Sequence, residues 1–327
     1  MRYRTLGSTG LRISELLLGT MVWGGSSGAA REECRRMLDR YADAGGNVLD
    51  TAVNYQGGGS EQVVGDLLRG RRDRFVVSTK YTMSRDSTDP NAAGGQRKNL
   101  RVSLETSLRQ LRTDYIDLYW VHMWDRHTPV EETMRALDDA VRAGKILHIG
   151  LSDTPAWVVS RAHTLAQWHD WTPVSAIQVP YNVYERDVER ELLPMAESLG
   201  MTVTTWSPLG HGVLSGRHTR DGRQAEELDE RKRAAALAVQ EVADKLGATP
   251  AQVAIAWSQA RSRSVHPIIG ASRVEQLEDN LGAAGLELPP EAIERLTGAV
   301  EFSLGFPSDF IGDADPVAFA GTYDQLV

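Results

Sequence analysis

Eight short apolar runs punctuate the chain, at 15–20, 47–51, 74–80, 115–122, 146–152, 175–179, 201–207 and 265–270. Between them apolar positions recur at helical spacing, roughly over 29–44, 59–69, 98–112, 129–142, 155–169, 187–199 and 231–247. Two further helical stretches, about 250–262 and 273–284, flank the eighth run, and one at 290–299 follows. Strands that alternate with helices imply a parallel sheet, and the closed arrangement of eight such units is the (β/α)8, or TIM, barrel. Such a barrel carries its active site at the C-terminal ends of its strands. No Gly/Ser-rich or Pro-rich linker divides the chain, so 1–327 is expected to be a single α/β domain. Ahead of the first run, "YRTLGSTGLRIS" (3–14) sets two β-like segments around a Ser-Thr-Gly turn, which predicts a hairpin cap over 1–14.

Helix starts carry recognisable caps. Thr128-Pro129-Val130-Glu131 and Thr249-Pro250-Ala251-Gln252 both read as capping boxes with Pro at the first helical position. In "DTPAW" (153–157) Asp153 or Thr154 is the expected N-cap. Three stretches are too long for simple connections: 81–97, 208–230 and the tail 302–327. The first two follow the third and seventh strands and are expected over the barrel mouth. The tail carries Phe302, Phe306, Phe310, Ile311 and Phe319, and reads as a lid over a pocket, with a docked strap as the alternative.

Composition narrows the function. The chain of 327 residues is 41% hydrophobic and 24% charged, which is globular. A formal net charge of −8 argues against general binding to nucleic acid or a membrane surface. The Arg clusters at 69–74 and 231–233 lie among acids and read as solvated surface. No apolar run approaches the roughly 18 residues of a membrane span, and "MRYRTLGSTG" lacks an apolar signal core. The single cysteine, Cys34, excludes an internal disulfide and reads as a plain helix residue; a cytoplasmic setting is expected. No metal site is expected.

The chemistry lies at the ends of the runs. The second ends at Asp50, with Tyr55 in the following loop; the third ends at Lys80 and the fourth at His122. Singly, each is an ordinary strand-end or loop residue. Together they converge at the barrel top, where a buried Lys80 needs a paired charge and Asp50 is at hand. A cation beside a phenol stabilises the phenolate. Tyr55 then becomes a tuned proton donor, Asp50 holds the lysine, and His122 orients or polarises a carbonyl oxygen. Such a site suits carbonyl reduction, with the hydride supplied by a cofactor because no side chain can supply one. No Gly-x-Gly-x-x-Gly follows the first run, so Rossmann-type dinucleotide binding is not expected. The segment "IIGASRVEQLEDN" (268–280) offers another cradle: Ser272 can cap a helix, Glu275 can close the box, and Arg273 can fork onto a 2′-phosphate. It reads equally as an ordinary capped helix. Trp23 and Trp124 follow the first and fourth runs; with Tyr55, His122 and tail residues they line an aromatic pocket, or else the two Trp residues pack loops on each other.

These residues sit within ordered blocks: "LGTMVWG", "LDTAVNY", "VVSTK", "DLYWVH", "GLSD", "IQVPYN", "WSPLG" and "IIGASRVEQLEDN". In that order they resemble the aldo-keto reductase superfamily from the hairpin to the last helix. "VHMWD" with "SDTPAWVVS" is most similar to its aryl-alcohol dehydrogenase and norsolorinic-acid-reductase-like branch. The resemblance implies a catalytic tetrad of Asp50, Tyr55, Lys80 and His122, with Tyr55 as general acid and NADPH extended across the barrel top. It implies Gly19, Thr20 and Met21 along the site with Asp50, and Ser152, Asp153 and Gln178 on the nicotinamide carboxamide. Trp206 would stack on the nicotinamide, while Ser207, Leu209 and Gly212 would follow the pyrophosphate. Gly270, Ser272, Arg273, Gln276 and Asn280 would hold the adenosine end. Three positions depart from the family pattern. Asp153 stands where Asn is common and can only accept hydrogen bonds. Trp206 replaces a frequent Tyr and keeps a stacking face. Gly270 stands where some members carry Lys, which leaves a 2′-phosphate more dependent on Arg273. The expected function is an NADPH-dependent reductase of a small-molecule aldehyde or ketone, preferably aromatic. The alternatives are an NADPH-binding regulatory subunit of the potassium-channel β type and a specialised natural-product or sugar-ketone reductase. A homo-oligomer is compatible with each.

Overall fold

The computed structural model describes residues 1–25, 29–219 and 228–320. Strands β1 (Tyr3–Thr5) and β2 (Arg12–Ser14) form the antiparallel hairpin. Eight parallel strands follow: β3 (Leu17–Gly19), β4 (Val48–Asp50), β5 (Val76–Tyr81), β6 (Ile116–Val121), β7 (Ile146–Ser152), β8 (Val174–Pro180), β9 (Thr202–Trp206) and β10 (Val265–Gly270). They close in chain order, with β10 pairing both β9 and β3. Helices α1 (Arg31–Asp43), α2 (Gly59–Leu67), α3 (Arg97–Leu111), α4 (Val130–Arg142), α5 (Ala156–Trp168) and α6 (Leu192–Ser198) follow successive strands. Two helices, α7 (Glu230–Leu246) and α8 (Pro250–Arg261), separate β9 from β10. After β10 come α9 (Val274–Leu281), α10 (Pro290–Thr297) and α11 (Ser308–Phe319).

Alternation along the strands divides the core in two. Val48, Val76, Leu118, Trp120, Ala176 and Ile268 cluster with Leu6 and Ile13, so the hairpin floors the barrel. Their neighbours Leu49, Val77, Tyr119 and Ile177 join the larger layer between strands and helices. The same period of two carries Asp50, Lys80 and His122 to inward rungs at the upper end.

Several helix starts differ from expectation. Thr249 and Gln252 do form the capping box of α8. Thr128 does not cap α4: its hydroxyl donates to Asp125 Oδ2 at 2.5 Å, and Pro129 occupies the N-cap position. Pro155 is the N-cap of α5, because Asp153 accepts from Trp206 Nε1 and Thr154 donates to the Ser152 carbonyl. The Ser272–Glu275 box is not formed either. Arg273 is the N-cap of α9, and the Val274 N–H donates to Glu33 Oε1 of α1 at 2.6 Å. Where a lid was expected, the described tail forms α11, whose Phe310 is exposed together with Phe306 before it. None of residues 302–320 lines the barrel-mouth cleft; residues 321–327 lie outside the described residues. No helix among the described residues is long and apolar enough to cross a membrane.

One buried group outside the barrel bears on stability. Glu61 of α2 has no solvent exposure; Thr79 Oγ1 donates to its Oε1 at 2.5 Å, and its Oε2 has no partner among the described residues. Burial, offset only in part by the Thr79 hydroxyl and the Lys80 charge, pushes its pKa from 4.5 up to about 7. The folded chain therefore holds a proton that the unfolded chain releases above pH 4.5. The resulting penalty on stability grows with pH through this window and levels off above about 7. At full ionisation it is on the order of 3 kcal/mol. Glu61→Gln abolishes the titration. Its melting temperature, followed by thermal denaturation, is expected to match wild type near about pH 4 and to exceed it by several degrees near about pH 8. A constant offset across that range would contradict the assignment.

Candidate active site

Adjacent strands β4, β5 and β6 each bring one inward polar residue to the mouth. Lys80 is fully buried and Asp50 nearly so. Lys80 Nζ donates to Asp50 Oδ2 at 2.5 Å, to the Thr51 carbonyl at 2.8 Å and to Tyr55 Oη at 3.5 Å. Three contacts match the three donors of an ammonium. Asp50 Oδ1 accepts from Ser78 Oγ at 2.7 Å and from Gln178 Nε2 at 3.2 Å. Desolvation pulls the Lys80 pKa down, but Asp50 and Tyr55 outweigh it and the net shift is upward. Lys80 is therefore a charged ammonium in a dry position.

Tyr55 opens a short 3-10 turn, Tyr55–Gly58, in which Gln56 and Gly57 hold positive φ. Its ring meets that of His122 edge to face, with centroids 5.7 Å apart. Desolvation, helped by the Lys80 charge, lowers the His122 pKa to about 3. The imidazole is thus neutral at neutral pH, with one N–H to donate and one lone pair. Its Nδ1 is buried with no partner among the described residues.

Above these groups opens a cleft of about 1070 Å³. Tyr55, His122, Ser152, Asp153 and Gln178 line one part of it, together with Gly19, Thr20, Met21 and Asp50. Trp206, Ser207, Leu209 and Gly212 continue the lining from the end of β9. Gly270, Ser272, Arg273, Gln276 and Asn280 line the end formed by β10 and α9. Lys80 lies beneath this surface and does not line it. Positive φ gathers around the mouth, at Thr82 (93°), Asp153 (43°), Ser207 (56°) and His211 (55°). Such strain collects at binding sites, and for β-branched Thr82 it is a true outlier. Burial raises the Asp153 pKa against the opposing bonds from Trp206 and Ser152. Asp153 Oδ1 accepts from Trp206 Nε1 at 3.1 Å, which fixes the orientation of the indole.

These residues could hold a nicotinamide dinucleotide. The cleft offers a flat indole, the Gln178 amide and Ser152 hydroxyl, a strap opened by Gly210 and Gly212, and the N-terminal end of α9. At Gly270 an added Cβ would meet nothing within 4 Å, so that end is open.

Two expected substrate contacts are corrected. Trp23 is fully buried in the outer core and does not line the cleft, because a tight turn, Trp23 N–H to the Thr20 carbonyl at 2.9 Å, directs it inward. Trp124 does not line the cleft either. It packs edge to face on Trp157 at 5.6 Å, with the Arg126 guanidinium 5.7 Å from its ring. It is a loop-packing residue, but its partner is Trp157 rather than Trp23. The cleft is also lined by residues that the sequence analysis does not single out, among them Asn54, Met83, His211 and Arg217. Met83, His211 and Arg217 lie in the two long loops assigned to the mouth, but residue type alone did not single them out.

Comparison with known proteins gives the family. The aldo/keto reductase family model matches residues 15–301. Norsolorinic acid reductase stcV of Emericella nidulans is 42% identical over 317 residues, covering 92% of this chain and 82% of that protein. Norsolorinic acid reductase of Aspergillus flavus is 40% identical, covering 93% of this chain and 82% of its own. An aryl-alcohol dehydrogenase of Pestalotiopsis microspora is 36% identical, covering 95% of this chain and 85% of its own. On a family match over most of its length and relatives of this identity, the chain belongs to the aldo/keto reductase family.

Proposed function

We propose that this protein reduces an aldehyde or ketone to an alcohol with NADPH, and that Tyr55 is the general acid. The contact that supports this most is Lys80 Nζ, held 2.5 Å from Asp50 and 3.5 Å from Tyr55 Oη below the cleft. A reduced nicotinamide supplies the hydride when bound. A carbonyl oxygen seated between Tyr55 and His122 accepts hydrogen bonds from both. Neutral His122 polarises that oxygen and fixes its position without giving up a proton. As negative charge develops there, the Tyr55 proton crosses to it. The phenolate left behind lies next to the Lys80 ammonium, which Asp50 holds in place.

Ser152 and Gln178 would hold the carboxamide, and Trp206, oriented by Asp153, would face the nicotinamide ring. Ser207, Leu209 and Gly212 would follow the pyrophosphate, with Ser272, Arg273, Gln276 and Asn280 around the adenosine. Met21 and Met83 line the cleft. Thioethers make favourable contacts with aromatic rings, which supports aromatic carbonyls as substrates; one relative is named for aryl alcohols.

Tyr55→Phe keeps the ring and removes the proton. Turnover of an aromatic aldehyde, followed by loss of NADPH absorbance, is expected to fall by about 10²–10⁴-fold in kcat while NADPH binding is retained. Turnover equal to wild type would remove Tyr55 from its role. Asp153→Leu frees the Trp206 indole and is expected to weaken NADPH binding by about tenfold in a fluorescence titration. Asp153→Asn keeps an acceptor oxygen and should stay near wild type. Equal loss in both variants would mean that the charge matters and the bond to the indole does not.

A further inference from the structure

α9 begins at the end of the cleft lined by Ser272, Arg273 and Gln276. The start of a helix attracts negative charge, and in this chain a carboxylate is already there. Glu33 of α1 accepts from the Val274 N–H at 2.6 Å, and Arg36 Nη1 donates to its other oxygen at 2.8 Å. The Glu33 side chain is only 19% exposed, so water screens its charge incompletely. The remaining groups are also engaged. The Ser272 N–H and hydroxyl both donate to Gln276 Oε1. Glu278 pairs with Arg40, and Glu275 lies 3.8 Å from Arg36. Gly270 contributes no side chain. Arg273 is thus the cation that the segment joining β10 to α9 presents to the cleft, and Glu33 is the anion set against the same helix start.

We infer that Glu33 is a specificity-determining residue for the dinucleotide. Its carboxylate occupies a helix-start amide and places a like charge near any 2′-phosphate, offsetting Arg273, so that NADH binds within about tenfold of NADPH. The bare 2′-hydroxyl of NADH meets neither the attraction of Arg273 nor the repulsion of Glu33. The inference rests on the cofactor assignment proposed above.

The test is a titration of the full chain with NADPH and with NADH, read by tryptophan fluorescence. Wild type, Glu33→Gln and Arg36→Ala are compared after their melting temperatures confirm folding. Glu33→Gln is expected to lower the Kd for NADPH about fivefold and to leave that for NADH unchanged. Arg36→Ala removes the counter-charge of Glu33 and is expected to raise the Kd for NADPH selectively; it decides the matter alone if the first variant does not fold. If both nucleotides bind but neither variant moves the ratio of their Kd values, the inference fails while the cofactor assignment stands. A wild-type preference for NADPH beyond about a hundredfold also overturns it. If neither nucleotide binds wild type, the cofactor assignment fails and takes the inference with it.

Discussion

An ammonium without solvent contact has to be matched on every proton, and Lys80 is matched by Asp50, the Thr51 carbonyl and Tyr55. Removing water from both ions costs several kcal/mol each, and their attraction recovers this only with good geometry and further hydrogen bonds. The sheet provides that geometry. Parallel pairing sets Asp50 of β4 beside Ser78 of β5, and alternation turns Asp50, Ser78 and Lys80 to the same side. Gln178 then reaches Asp50 from β8, four strands away and so across the lumen. That contact exists only in a closed barrel. Closure and the charged state of the site are therefore one problem with one solution.

The strand wall also gives two buried carboxyls near one lysine different surroundings. Asp50 and Glu61 both lie within the electrostatic reach of Lys80. Lys80 points inward and its neighbour Thr79 outward, so Asp50 receives the ammonium and Glu61 receives only a hydroxyl. A carboxyl bonded only to a hydroxyl in a dry layer retains its proton to higher pH, as Glu61 does. A one-residue slip in β5 would exchange these environments and destroy the site, which ties the chemistry to strand register.

The barrel was legible because its signal is repeated: eight apolar runs at strand length, with helical spacing between them, leave few alternatives. Asp50, Lys80 and His122 were legible because they interrupt those runs where a barrel exposes its strand ends. Local capping chemistry was a weaker guide. Thr249 caps as its sequence implies, but Thr128, Asp153 and Ser272 do not. Each has a competing partner within hydrogen-bond reach, and in the cases of Asp153 and α9 that partner comes from another sector of the barrel. Side-chain direction after a turn was also hidden. Trp23 and Met21 are two residues apart, yet one is fully buried and the other is 54% exposed on the cleft. The turn that separates them depends on a backbone bond from Trp23 to Thr20, which residue type does not reveal.

The two ends of the cleft are constrained to different degrees. At the Lys80 end the charged atoms are saturated, and the donors come from rigid strands and from both sides of the lumen. A substitution there leaves a buried charge without its match, at about 3–5 kcal/mol. At the α9 end the groups come from a helix start, a turn and a neighbouring helix, where Glu33 accepts from the Val274 N–H and pairs with Arg36. Changes there adjust attraction and repulsion by small amounts while the strands stay in place. On the function proposed above, a fold built in this way would keep its proton chemistry constant and let recognition of the far end of a long ligand vary, because the first depends on barrel closure and the second does not.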